Sequence, residues 1–516
     1  MKKILYILLV VTGGLFASCD DMLTVKSPDT LTPENFWRNK ADAEKAMGSA
    51  YAMLESANDI WGFSEVRWPV EAYREDICIM GSDALNYQTW VELFNFSYTN
   101  GNSQFSSYWA DNYRGINRTN QIIEKVPTIP TETFPEAEKE QILAEAKFLR
   151  AYYHMKLLLN WKEIIIRDSY IKSESELNKG LSSRDKAWDF IVADFMEATK
   201  LKAIRDAATV GRATQGAAYS YLGFAYLTRA YEEPAKKAEF LQKAIDAFDK
   251  VKGYTLVKDF ISMFDGSNKN STESIFELQF SENTDNGASY RTAIHKWMGV
   301  SEIGGWDEIQ PSEMLMKEFM KEGKIATTGN YDSRLYATVF FQDPYFNDGT
   351  GKVYGDDYDN WFCEWSQDAN GDWIQGPSYN KPAFRKYLPR NYSDMKKSRT
   401  GLNVPLMRYA NVLLMKAEAL NEQGHPELAI PLINQVRERA DMPAMKGTSQ
   451  AEVRAQIKHE RIIEFPLENF RFYDLRRWGE TKQALDAIGR TGFNPEKNSF
   501  YPIPQTELNS NSALSK

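Results

Sequence analysis

Apolar side chains recur three and four residues apart along much of the chain, the spacing of helices that bury one face. Ala41 to Leu54 places Ala46, Ala50, Met53 and Leu54 on one side. Trp109 to Ile123 does the same with Trp109, Tyr113, Ile116, Asn120 and Ile123. The strongest run, Pro135 to Leu159, aligns Leu143, Ala146, Leu149, Tyr153 and Leu157. Thr214–Ala230, Ala235–Val251, Val404–Glu422, Pro426–Arg439 and Ser449–Phe465 also read as helices. Thr32-Pro33-Glu34 has the Thr cap, first-turn Pro and acidic residue of a helix start. Ser274–Phe280 (SIFELQF) alternates instead and predicts a strand.

Two helix pairs resemble tetratricopeptide units. Leu222-Gly223 with Tyr226, then Ala244 and Phe248, forms one; Ala417 and Leu420, then Ala429 and Ile433, form the other. Small residues let two helices approach and bulky ones fill the groove that remains, so stacked hairpins share one core. The repeats are degenerate and interrupted. The pattern predicts a mostly α protein: a tetratricopeptide-like helical scaffold over about 36–54, 109–251 and 402–480, with a few short strands. Insertions of about 55–108, 252–310 and 340–400 mix Gly, Asn, Asp and Ser with aromatics and have little helical period. Insertions of this size in a compact body are commonly functional.

The first residues follow a different logic. Lys2 and Lys3, the apolar run Ile4–Phe16 and Ala17-Ser18-Cys19 have the layout of a secretory signal. The cysteine after Ala-Ser makes the segment resemble a bacterial lipoprotein signal. On that reading residues 1–18 would be removed and Cys19 would carry lipid; a cleaved ordinary signal or an uncleaved anchor are the alternatives. Residues 19–35, polar and with two prolines, read as a tether, and 36–516 as a single body. The apolar run is short for a membrane span of about 20 residues.

Charge narrows the function classes. A net charge of −9 without a long Lys/Arg block argues against nucleic-acid binding. Cys78 and Cys363 are the cysteines left after Cys19, and a disulfide between them or two buried free thiols both fit. The four histidines are scattered, and no metalloprotease, phosphate-binding or nucleophile-elbow motif is present. Glu302, Asp307 and Glu308 near Trp306 are the one cluster that could be imagined as a glycosidase pair. Asp368, Asn370 and Asp372 alternate like half a calcium loop without its distal Glu; an Asp-Gly turn explains them as well. Glu460, Arg461, Glu464, Arg471, Asp474, Arg476 and Arg477 read as ion-paired helix faces and locked turns.

Aromatics make up 13% of the chain. Flat indole and phenol rings stack on the apolar C–H faces of sugars and lose little side-chain freedom in doing so. Trp37, Trp109, Trp161, Trp188 and Trp478 lie in helical or core-type segments and are assigned to packing. Trp61, Trp68, Trp90, Trp297, Trp306, Trp361, Trp365 and Trp373 lie on the insertions.

Several segments resemble the SusD/RagB family of outer-membrane lipoproteins. They include Cys19-Asp20-Asp21, Ala144–Tyr153 (AEAKFLRAYY), Arg212-Ala213-Thr214, Ser274–Glu277 and Tyr331–Leu335. The match continues through Arg408–Ala419 (RYANVLLMKAEA), Arg471–Trp478 (RFYDLRRW) and Tyr501–Pro504 (YPIP). Asn160–Ile166 departs from the family's usual turn. The resemblance implies capture of an oligosaccharide or polysaccharide, or in some branches a peptide, at the outer face of the outer membrane. It implies delivery to a SusC-like TonB-dependent transporter, with no catalysis and no cofactor. In this family ligands meet the early and middle insertions. That singles out Trp61, Trp68, Tyr87, Trp90, Tyr290, Trp297 and Trp306, with Asn86 and Arg291 as polar partners. A surface hydrolase and a scaffold that binds only the transporter are the competing readings.

Overall fold

The computed structural model describes residues 36–54, 68–204, 209–282, 290–349 and 351–514. Cys19, residues 20–35 and Trp61 lie outside the described residues. The longer helices are α1 (Lys40–Tyr51), α2 (Ser103–Lys125), α3 (Glu136–Asn160), α4 (Arg184–Ala198), α5 (Gln215–Glu232) and α6 (Lys237–Phe248). In the C-terminal half they are α7 (Glu313–Met320), α8 (Tyr409–Glu422), α9 (Pro426–Arg439), α10 (Gln450–Glu464) and α11 (Arg471–Trp478). Among the described residues no helix is long and apolar enough to cross a membrane.

Sequential helices pack as neighbours: α2 on α3, α3 on α4, α5 on α6 and α8 on α9. The small-against-bulky rule is visible at α5 and α6. A Cβ on Gly223 would stand 2.3 Å from Phe248 Cε1, so only glycine lets that ring close the hairpin. Gly115 does the same for α2 against Tyr153 of α3. Local chemistry fixes the helix starts. Thr214 caps α5 by accepting from Ala217 N, and Ser449 with Glu452 forms a capping box on α10. Trp109, Trp161 and Trp188 are buried as packing residues, and Trp37 and Trp478 are half-buried.

Among the described residues, eight short strands form four two-stranded antiparallel ladders. They are β1 (Cys78–Met80) with β3 (Ile309–Pro311), β2 (Ser274–Leu278) with β8 (Val404–Arg408), β4 (Val339–Phe340) with β7 (Ala383–Phe384), and β5 (Cys363–Gln367) with β6 (Trp373–Ser378). One helix expectation is corrected here. Val404–Arg408 is not the start of α8 but a strand on the SIFEL segment, pairing Leu278 with Val404 and Ser274 with Arg408. Its backbone groups find partners across the ladder, and α8 begins at the next residue.

The charged C-terminal segment forms the structural ion pairs expected of it, and joins them across elements rather than along single helix faces. Its pairs are mostly buried and distant in sequence. Arg334 bonds Asp332, Glu460 and Glu464; Arg408 bonds Glu273, Glu464 and Glu468; Arg437 bonds Glu460 and Glu322; Arg439 bonds Glu273 and Glu464. Arg461 forks onto Asp474 and Arg477 onto Glu418, while Arg471 reaches Asp76. Arg476 instead donates to Leu159 O and Ser499 O, and burial with Arg184 nearby lowers its pKa to about 9. The network ties β2, β8 and α8–α11 into one block.

Candidate functional site

Ladder β1–β3 brings the early insertion against the middle one. Cys78 pairs with Pro311, Ile79 with Gln310 and Met80 with Ile309. Just past β1 the two backbones nearly touch. Gly81 N donates to Glu308 O at 2.9 Å, and a Cβ on Gly81 would stand 1.9 Å from Asp307 O. Ser82 then donates through Oγ to Asp307 Oδ2 at 2.5 Å, and Tyr73 Oη donates to Glu308 O at 2.8 Å.

This junction gathers the insertion aromatics. Trp68 lies on the short helix Trp68–Ala72, Trp90 on Gln88–Phe94 and Trp297 on Ile294–Met298. Ring centroids are 5.1 Å apart for Trp68 and Trp90, 5.4 Å for Trp90 and Trp297, and 5.9 Å for Trp68 and Trp297. Trp306 meets Trp297 edge-on at 4.6 Å, and Tyr87 stacks on Trp90 at 4.3 Å. The five rings form one cluster with a clear inside and outside. Trp68, Trp90 and Trp297 are only 4%, 7% and 9% exposed, whereas Tyr87 is 42% exposed and Trp306 is half-buried. The three buried indoles therefore form a floor that fixes Tyr87 and Trp306 at the surface.

Asn86 stands beside Tyr87, exposed, and donates to Asp83 Oδ1 at 2.9 Å. Tyr290 is exposed and Arg291 half-buried, on a strand-like segment tied to Ser281 and, through Thr292, to Thr400. Among the described residues no ring contact joins Tyr290 to the tryptophan cluster. The structure thus unites Trp68, Tyr87, Trp90, Trp297 and Trp306, with Asn86 at their rim, and places Tyr290 and Arg291 on a separate segment.

The neighbouring carboxylates brace the loops. Glu302 is held by Lys381 Nζ at 2.9 Å and Tyr379 Oη at 3.1 Å. Asp307 accepts from Ser82 and Gln310 and faces Lys381 at 3.3 Å, so its pKa is lowered despite burial. Glu308 is different. Both its oxygens are buried without a donor, and burial, reinforced by Asp83 and Asp307, raises its pKa to about 8. The neutral acid is therefore favoured over the carboxylate at neutral pH.

The remaining sequence candidates fall elsewhere. Asp368, Asn370 and Asp372 form the tip of the β5–β6 hairpin, where Asp368 Oδ1 accepts from Asn370 N and Asp372 N. That oxygen caps the turn. Cys78 and Cys363 are free and buried, and Cys78 donates to Ala72 O. Glu322, His459 and Glu460 come within metal-binding distance of one another. Arg437, however, bonds both carboxylates, and His459 sits between Glu318 Oε1 at 2.7 Å and Glu322 Oε1 at 3.2 Å. Those bonds outweigh burial and raise the His459 pKa to about 9, so the group is an ion-pair network in which the cation is the protein's own. Sequence reading passed over the most exposed tryptophans among the described residues, Trp365 (54%) and Trp373 (65%), which flank the hairpin tip on one face. Their place in strict alternation, with Gln367 and Gln375, is the signal that could have marked them.

Comparison with known proteins agrees with this architecture. A SusD-like protein, P2, of Formosa agariphila is 27% identical, over 99% of this chain and 98% of its own length. A SusD superfamily protein from Bacteroides vulgatus, of known structure, superposes with a TM-score of 0.76 at 28% identity, covering 93% of this chain and 98% of that one. A laminarin-binding SusD-like protein shares the fold, with a TM-score of 0.70 at 23% identity over 92% of this chain and 98% of its own. Residues 20–227 match a family model described as starch-binding and associating with the outer membrane, and residues 272–516 match that of the SusD family. With both halves matched, in order and on the same fold, the chain belongs to the SusD/RagB family.

Proposed function

We propose that the chain is a lipid-anchored glycan-binding protein of the outer-membrane surface, holding an oligosaccharide or polysaccharide at the Tyr87–Trp306 rim and passing it to a SusC-like TonB-dependent transporter. The observation that carries the reading is the aromatic junction. Two insertions far apart in sequence converge through β1–β3 to present rings on a rigid indole floor. An exposed ring whose rotamer is already fixed loses little entropy when a sugar stacks on it. The carboxylates nearest the rim are engaged by Lys381, Ser82 and Gln310 or buried, which favours binding over hydrolysis. Anchoring through Cys19 rests on the sequence of the first nineteen residues.

Affinity electrophoresis against a panel of soluble polysaccharides tests the reading. Retardation by at least one glycan, lost in Tyr87→Ala and Trp306→Ala proteins that remain folded, is the expected result. Binding of a peptide pool with no glycan retarded would move the protein to the peptide-binding branch. Sugar release from any polysaccharide would establish a hydrolase instead.

A further inference from the structure

A cavity of about 610 Å³ opens on the far side of the loop that carries Trp306. Its size falls within the roughly 300–1,000 Å³ typical of small-molecule sites. Its wall comes from four separated stretches, 258–265, 333–345, 352–355 and 385–392, together with Asp441. Leu388 and Tyr392 of that wall border the Trp306 loop. A Cβ on Gly299 would lie 3.3 Å from Leu388, and one on Gly304 3.9 Å from Tyr392 Oη.

The lining is polar and ringed by tyrosines 336, 345, 354 and 392. Its charges are unevenly satisfied. Lys258 pairs with Asp441 and Lys352 with Asp357. Asp265 spends Oδ1 on Ser267 N and Oγ, and Asp259 and Asp441 are exposed at the mouth. Arg385 is set deep. It donates Nη1 to Tyr336 O at 2.8 Å and lies 5.4 Å from the Phe340 ring centroid; Tyr345 and the charge of Asp265 also act on it, but among the described residues no carboxylate comes into ion-pair contact with it. Arg390 likewise has no ion-pair partner there. Tyr354, with φ of 51°, holds its hydroxyl buried in the wall without a hydrogen-bond partner.

A recessed guanidinium with no carboxylate in ion-pair contact, next to an unsatisfied hydroxyl and flat rings, is half of a recognition site. Burial already lowers the Arg385 pKa, and an anion in the cavity would relieve that cost. The guanidinium fork matches two oxygens of one planar or tetrahedral anion. We propose that this cavity is a second ligand subsite that accepts a carboxylate or sulfate ester carried on a saccharide. The saccharide carrier rests on the glycan reading above; the anion does not.

Isothermal titration tests the two independently. The probes are an oligogalacturonate and a sulfated galactan oligosaccharide, each beside its carboxyl-reduced or desulfated counterpart. At least one acidic probe is expected to bind more tightly than its neutral counterpart. Arg385→Gln should weaken that binding roughly 10- to 100-fold, the range for losing a charge-assisted hydrogen bond, with neutral binding unchanged. If Arg385→Gln lowers the melting temperature sharply, Arg390→Gln and Tyr354→Phe provide the same readout. Equal affinity for acidic and neutral probes, or unaltered acidic binding in the Arg390 and Tyr354 variants, overturns the subsite and leaves the aromatic rim standing. So does binding of a Glu-rich peptide but of neither acidic saccharide. Arg385-dependent acidic binding with no effect of Tyr87→Ala would support the cavity and remove the rim.

Discussion

The aromatic junction and the C-terminal ionic block are built from opposite materials and finished in opposite ways. In the block, Arg334, Arg408, Arg437 and Arg439 each find two or more carboxylates, and the pairs close on themselves away from water. In the junction three indoles are buried while Tyr87 and Trp306 retain accessible faces, and Glu308 is left without a donor. A region whose interactions are all satisfied internally serves the fold. A region that stops short of satisfying itself offers something to a ligand. The abundance of Arg and Glu in RFYDLRRW and its surroundings marks the first kind, and the loop aromatics mark the second.

The comparison can be broken most forcefully in the block. Arg408→Ala would leave Glu273, Glu464 and Glu468 without their shared cation, and urea unfolding should register a loss of about 3–5 kcal/mol. A loss under 1 kcal/mol would mean that the network is solvated. Next comes pH. His459 titrates near 9 when folded against about 6.5 unfolded. Its stabilisation, up to about 3 kcal/mol, is complete below pH 6.5 and disappears as pH rises through 9. Glu308 acts in the same pH range but as a raised acid. Unfolding lets it ionise, so the folded state loses ground from about pH 4.5 to pH 8. Denaturation of His459→Gln and Glu308→Gln between pH 5 and 9.5 separates the two: the first should be less stable than the wild type at pH 6, the second more stable at pH 8.5.

Smaller effects sharpen the other side. Tyr87→Ala should cost under about 1 kcal/mol of stability, because its ring is largely outside the floor, yet weaken glycan binding roughly tenfold. Trp90→Ala should do the reverse first, costing about 3–5 kcal/mol by opening a cavity beneath Tyr87. Equal stability losses in the two would erase the distinction between floor and rim. Cys19→Ala should leave purified-protein affinity unchanged and abolish glycan uptake by cells.

Much of the scaffold is legible in the chain because its signals are local. The capping box at Ser449, the Gly223–Phe248 fit and the periodicity of Glu136–Asn160 each involve residues within one helix or one hairpin. What escapes is set by distant partners. Val404–Arg408 has helical-looking apolar residues, and only the remote SIFEL strand makes it extended. Arg461 and Glu464 look like a helix surface until α8, β2 and β8 cover them. The site divides in the same way. The family resemblance, applied to the aromatics of the insertions, singles out Trp68, Trp90, Trp297, Trp306 and Tyr87, but nothing in their spacing distinguishes floor from rim. The cavity around Arg385 leaves no local trace at all, since five separate parts of the chain must come together before it exists.

The β1–β3 contact has a consequence for how the protein matures. Tyr73 and Glu308, which it brings into hydrogen-bond contact, are 235 residues apart in the chain. Contacts of such long sequence separation form late, after local helices and hairpins are in place. The aromatic rim is therefore among the last features to be assembled, and a chain translated or translocated only as far as the middle insertion has no rim to offer. If the rim is where ligand binds, as proposed, binding there reports on folding of both insertions together.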